Sequence, residues 1–187
     1  IGDACIKFLL HDYAFKCRQI KIPDAKIGKL RYIKNHKSVY VVGENLGINA
    51  NVGEEDSVDI AMCLTSEEVP KGEVVALKTS AINNARINKQ ILVHECVEKR
   101  RQQLRLNPTG EQFNVAEYFE KIVNEDTNEM TLVLEYCAGN TLCNNIAIQK
   151  TYNETVAAIT VNNIARILSS LHAIEIIHGD LRPENIV

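Results

Sequence analysis

The chain has 187 residues, 45 % of them hydrophobic and 24 % charged, and a formal net charge of −3. That suits one globular domain with or without an extension. The charge gives no general attraction to nucleic acid or acidic membranes, and the apolar stretches fall far short of the roughly 18 residues a spanning helix needs.

Residues 1–37 mix basic and apolar side chains around Pro23 and read as an extension, with Phe8-Leu9-Leu10 starting a short helix. Ser38-Val39-Tyr40-Val41-Val42 is rich in branched residues and predicts a strand. Gly43 to Asp56 interleaves glycines and asparagines and ends in acids, which predicts a loop. Val58 to Leu64 predicts a second strand. Glu73 to Lys78 predicts a third, entered through a turn at Pro70-Lys71-Gly72.

Residues 87–104 place Ile87, Ile91, Leu92, Cys96, Val97 and Leu104 at mostly helical spacing, and Asn107-Pro108-Thr109-Gly110 ends that helix. Within it Lys99-Arg100-Arg101 reads as a solvated face rather than a nucleic-acid patch. Phe113–Val123 and Thr131–Tyr136 predict a hairpin across a polar turn. Leu142, Ile146 and Ile148 suggest a short helix. Val156, Ile159, Ile164, Ile167, Leu168 and Leu171 form one apolar stripe of a longer one, with Asn153 as its N-cap.

The cysteines 5, 17, 63, 96, 137 and 143 form no C-x-x-C pair, and His94 with Cys96 lacks a second ligand pair, so no zinc site is expected. Their mostly apolar surroundings fit buried, reduced thiols in a cytosolic or nuclear compartment.

The closing residues carry the chemistry: His178-Gly179-Asp180-Leu181-Arg182-Pro183-Glu184-Asn185. A carboxylate and an amide stand on a loop pinned by proline, after a helix ending Leu171-His172. This resembles the protein-kinase catalytic loop H-R-D-L-x-x-x-N. Phosphoryl transfer needs a cation on the phosphates, metal ligands and a carboxylate that orients the attacking hydroxyl. Asp180 is the candidate carboxylate, Arg182 a candidate phosphate contact, and Asn185 a neutral oxygen ligand for Mg2+. Lys78 closes Val-Val-Ala-Leu-Lys, which resembles the V-A-I-K strand whose lysine meets the ATP phosphates. Ala76 would then lie against adenine.

Leu132 to Leu142 resembles the kinase hinge, with Leu134 guarding the back of the pocket and Glu135 and Cys137 at the adenine edge. Gly47 and Val58 are the candidate ends of a phosphate-covering loop. Asn49 stands where its second glycine belongs, and the acids Glu54, Glu55 and Asp56 would repel a triphosphate. Glu95 and Glu98 both lie on the helix after Lys78, and Glu95 is by its spacing the candidate ion-pair partner of that lysine. Gly179 replaces the arginine of His-Arg-Asp, so no dependence on an activation-loop phosphate is expected.

Together, residues from about Tyr40 to Val187 resemble the eukaryotic protein kinase fold. Within it, Leu171-His172-Ala173-Ile174-Glu175-Ile176-Ile177-His178-Gly179-Asp180 is similar to the Bub-type mitotic-checkpoint kinases. The resemblance implies an α+β, bilobal, truncated kinase-like fold: an extension at 1–37, a β-rich small lobe at 38–136, and the start of the helical lobe at 137–187. It implies a serine/threonine kinase using ATP and Mg2+, acting on protein substrates among mitotic-checkpoint and kinetochore proteins. The expected location is nuclear or cytoplasmic, at kinetochores during mitosis, with no nucleic-acid or membrane partner. The alternatives are a checkpoint pseudokinase serving as an interaction module, or a small-molecule phosphotransferase, since those share His-Gly-Asp-Leu-x-Pro-x-Asn. The chain stops before a metal-binding aspartate, so by itself it is expected to show no turnover.

Overall fold

The computed structural model describes residues 32–34, 37–51, 54–106, 114–149 and 153–187. The short helix at Phe8, the helix stop at Asn107–Gly110 and nearly all of the extension lie outside these residues. The described strands are β1 (Tyr32–Lys34), β2 (Val39–Asn51), β3 (Glu54–Thr65), β4 (Val74–Ala81), β5 (Tyr118–Asn124) and β6 (Glu129–Glu135). The helices are α1 (Ala85–Leu106), α2 (Leu142–Gln149) and α3 (Glu154–His172), followed by a 3-10 turn at Pro183–Asn185.

All six strands join one antiparallel sheet in the order β1-β2-β3-β4-β6-β5. The α+β kinase-like class is what these elements form. The predicted loop at Gly43–Asp56 is mostly strand: β2 and β3 pair from Val39↔Thr65 to Asn51↔Glu54. Ladder bonds come from the backbone, so glycine and asparagine do not prevent them when a partner strand is in register. The irregularity is absorbed at register shifts on either side of Asn45. At Pro70-Lys71-Gly72 the Glu73 N–H donates to the Pro70 carbonyl at 3.0 Å, and Gly72 has φ 81°, as the third residue of a type II turn requires.

Side chains alternate across the sheet. One face carries Tyr40, Val42, Ala61, Cys63, Val75, Leu77, Ile122 and Val133 in a single buried cluster. Beside it Glu120 accepts hydrogen bonds from Tyr40 Oη at 2.6 Å, Ser66 Oγ at 2.8 Å and Ser38 Oγ at 2.9 Å. Burial, then the Glu120 bond, pushes the Tyr40 phenol far above its ordinary value. On the opposite face Met130 and Leu132 of β6 pack with Ile87 and Ile91 from the first turns of α1.

The chain divides into two compact units. One contains the sheet, with described residues through Ile91 and then Glu117–Tyr136; the other contains Leu92–Ala116 and Cys137–Val187. In the second unit Val97 and Leu171 are buried against Leu104, Val115, Ile167, Ile174 and Ile176. Arg101 is not a solvated cation: its guanidinium binds Glu98 and the Val115 carbonyl. Asn153 caps α3, accepting from the Thr155 N–H at 2.8 Å.

The chain leaves α3 through a Schellman motif: Ile176 N–H bonds the Leu171 carbonyl at 3.0 Å, and Glu175 N–H bonds that of His172 at 3.0 Å. Glu175 takes φ 61°, a position where glycine is the unstrained residue. Of the four described cysteines only Cys63 is buried, while Cys96 and Cys137 are exposed, so the expectation of mostly buried thiols holds for one position. Burial, then Glu120, pushes the Cys63 thiol up to about 11.

Candidate active site

Strand register gathers the candidates of the sheet unit. Gly47 pairs with Val58, Val58 with Lys78, and Lys78 with Leu132, so one cross-strand row runs through four strands. In the next row Ile60, Ala76 and Leu134 are partners. Cross-strand partners project to the same side. Val58, Ala76, Lys78 and Leu134 therefore share one face, each half-buried. Glu135 belongs to the row beyond these, opposite Val75 and on the other face. Its N–H is already committed to the Glu117 carbonyl at 2.8 Å, and its carboxylate accepts from the Glu117 N–H at 3.1 Å. Cys137 lies beyond the end of β6 and is exposed.

The ammonium of Lys78 is the charged centre of that face. It donates to Gln90 Oε1 at 2.9 Å and lies 3.6 Å from Asp56 Oδ2. Burial pulls its pKa below the ordinary lysine value, and Asp56 acts in the opposite direction. Glu95 was expected as its helix partner; the helix residue that meets Lys78 is Gln90. An α-helix rises 1.5 Å per residue, so Glu95 stands about 7.5 Å further along the axis.

Asp56 is likewise not the repulsive surface acid that the composition of its segment suggested. It is 3 % exposed, and its Oδ1 accepts from Asn84 Nδ2 at 3.2 Å. Asn84 also donates to Ser80 Oγ at 2.7 Å, and its own side-chain oxygen caps α1 at the Arg86 N–H, 2.8 Å away. Asp56, Gln90 and Asn84 were missed as site residues. The signal for Asp56 was alternation: once β3 extends through Asp56, that residue falls on the same face as Val58.

The terminal loop belongs to the second unit and is built locally. Asn185 Nδ2 donates to the Asp180 carbonyl at 2.8 Å and to Asp180 Oδ2 at 2.9 Å. Arg182 Nε lies 3.7 Å from Asp180 Oδ1 and 4.0 Å from Glu184 Oε2, with both partners half-open to solvent. Pro183 opens the 3-10 turn, and the Ile186 carbonyl accepts from the Leu142 N–H at 2.7 Å, tying the loop to the start of α2. Gly179 has φ 76°, so an arginine at this position would be strained. Asp180, Arg182 and Asn185 are thus held together as a group.

A lysine on a sheet face and an aspartate–asparagine loop are the parts of a phosphoryl-transfer domain, and residues 53–187 match the family model of the protein kinase domain. The chain belongs to the protein kinase family. This membership decides against a small-molecule phosphotransferase as the owner of the loop. The kinase chain is 35 % identical over 114 residues to the calcium and calcium/calmodulin-dependent serine/threonine-protein kinase DMI-3 of Medicago truncatula, covering 61 % of this chain and 21 % of that relative. It is 30 % identical over 169 residues to calcium-dependent protein kinase 2 of Oryza sativa subsp. japonica, covering 88 % of this chain and 29 % of the relative. A calcium/calmodulin-dependent serine/threonine-protein kinase of Malus domestica is 48 % identical over 63 residues, 34 % of this chain and 15 % of the relative. The matched kinase segment is therefore under a third of each relative's length. These relatives bear calcium-dependent kinase names, and none of the three bears a Bub-type one.

The kinase loop offers one fitting ligand for Mg2+. Both hydrogen bonds of the Asn185 amide are made by its nitrogen, which leaves the hard carbonyl oxygen for a cation. Among the described residues no group of three or more His, Cys, Asp or Glu side chains is placed to hold a metal ion.

Proposed function

We propose that, within its whole protein, this domain transfers the γ-phosphate of ATP to serine or threonine hydroxyls of protein substrates. The Asp180–Asn185 pair carries the reading, because it couples the candidate base to the candidate metal ligand within one hydrogen-bonded loop. Asp180 would orient the attacking hydroxyl and accept its proton, Arg182 would contact the phosphate, and Lys78 would hold the nucleotide phosphates. Ala76 and Leu134, adjacent across β4 and β6, would form an apolar wall for adenine. Mg2+ held by Asn185 and the phosphates would supply neutralisation of the charge developing on the transferring group.

The test uses the full-length protein. A thermal upshift with Mg-ATP, together with phosphate incorporation into a serine/threonine peptide array, supports the kinase reading. Nucleotide binding without transfer, or neither, favours a pseudokinase acting as an interaction module.

Two finer assignments separate by experiment. The names of the relatives support a calcium-responsive kinase, and stimulation by Ca2+ over chelator tests it. The Leu171–Asp180 segment supports a checkpoint kinase located in the nucleus or cytoplasm. Recruitment to kinetochores in mitotic cells, with activity indifferent to Ca2+, would favour that assignment.

A further inference from the structure

Kinase catalysis requires the strand lysine to be held by a carboxylate, which normally comes from the helix that follows it. Here the helix presents an uncharged side chain, Gln90, at hydrogen-bonding distance from Lys78. Among the described residues, the carboxylate that ion-pairs with that amine comes from the preceding strand: Asp56, at 3.6 Å. We propose that Asp56 of β3 is the positioning residue that orients Lys78 for the nucleotide phosphates, in place of a glutamate on α1. This rests on the kinase function proposed above.

Three observations support the assignment. Asp56 is 3 % exposed, and a buried carboxylate persists only when it is paired and hydrogen-bonded. Its other oxygen is held by Asn84, whose amide also bonds Ser80 and whose oxygen caps α1. The carboxylate is therefore fixed by two elements of the sheet unit. Gln90 supplies an amide oxygen that orients the ammonium without adding charge. The lysine thus keeps one counter-charge, and the helix contributes geometry alone. Arg86, one turn before Gln90, is the remaining charged group acting on this amine, and it opposes the ammonium form.

The experiment compares D56N, Q90E and the double variant D56N/Q90E in the full-length protein. Asp56→Asn preserves shape and an acceptor for Asn84 while removing the charge. The first readout needs no nucleotide: the rate at which Lys78 is acylated by an N-hydroxysuccinimide ester at pH 8, followed by peptide mass spectrometry. D56N is expected to accelerate acylation several-fold, because the amine loses the charge that favours its protonated form. The double variant is expected to return toward the wild-type rate. The second readout is kinetic. D56N is expected to raise KM for ATP roughly tenfold, the change that 1.4 kcal/mol of lost contact produces, and Q90E in the D56N background to restore it.

Q90E alone leaves Asp56 in place and adds a second carboxylate beside the amine, so it is expected to slow acylation of Lys78 below the wild-type rate. A tenfold fall in KM in Q90E would mean that Asp56 was not serving the lysine, and would overturn the proposal even if D56N failed to fold. A D56N protein with unchanged acylation, or one that binds ATP more tightly, would also overturn it. In the latter case Asp56 would be competing with phosphate. If wild type fails to bind Mg-ATP, the kinase reading fails, while the acylation series still reports whether Asp56 governs Lys78.

Discussion

The two groups of candidate residues, one in each unit, are assembled by opposite means. Lys78 sits in a half-buried cluster drawn from β3, β4 and the first turns of α1, and its contacts reach forward to Gln90 and back across the sheet to Asp56, which Asn84 holds from 28 residues away. Asp180 sits on an exposed loop whose bonds to Asn185 close over five residues. Desolvation amplifies every charge in the first cluster, so its partners must be matched and its lysine pKa is displaced. Solvent screens the second group, so its order comes from proline and short-range hydrogen bonds. Changes in the loop should therefore alter chemistry without stability, whereas changes in the sheet unit should alter both.

The largest effect should follow from Asp180→Asn. Phosphate transfer by the full-length protein is expected to fall by about 10²–10⁴-fold, the range for a lost general base, with the Mg-ATP thermal shift unchanged. A matching loss of melting temperature would break the contrast, because it would make the loop structural.

Next, Leu77→Ala empties a fully buried position in the sheet core and is expected to cost about 2–5 kcal/mol in a urea titration. Leu181→Ala, at a loop position 48 % exposed, is expected to stay within about 0.5 kcal/mol.

The third prediction is a pH dependence confined to the sheet unit. The folded-state pKa of Cys63 is raised from 9.0 to about 11, so the native state holds that proton more tightly than the unfolded chain. The resulting stability is complete below pH 9 and disappears as pH rises through about 11. Urea midpoints measured from pH 8 to 11 should fall, and Cys63→Ala should shallow the fall. An unchanged slope in the variant would remove Cys63 as a cause.

The smallest effect should be a gain. Glu175→Gly relieves a left-handed residue in the Schellman motif and is expected to stabilise by about 1 kcal/mol, read as a higher melting temperature.

Much of this was legible without coordinates where the signal was local. The apolar stripe of α3, its Asn153 cap, the Pro70–Gly72 turn and the Asp-x-x-Pro-x-Asn loop each depend on residues a few positions apart. They appear in the structure as read, except that the stripe is buried at Leu171 while Val156 and Ile159 at its start stay exposed. The long hairpin of β2 and β3 was not legible, because its glycine- and asparagine-rich stretch has poor strand propensity and is held by cross-strand bonds alone. The inward turn of Arg101 depends on the Val115 carbonyl, 14 residues away, which helical periodicity does not reveal.

The sequence by itself determined the family of this domain and singled out Lys78, Asp180 and Asn185 as its candidate residues, because they sit in short motifs whose chemistry fixes their spacing. Only the tertiary structure decided which side chains accompany the lysine. Glu95 looked right along the chain, but strand register and the rise of α1 bring Asp56 and Gln90 to the amine. A buried charge takes the partner that the fold places within a few ångströms, and sequence separation does not measure that distance.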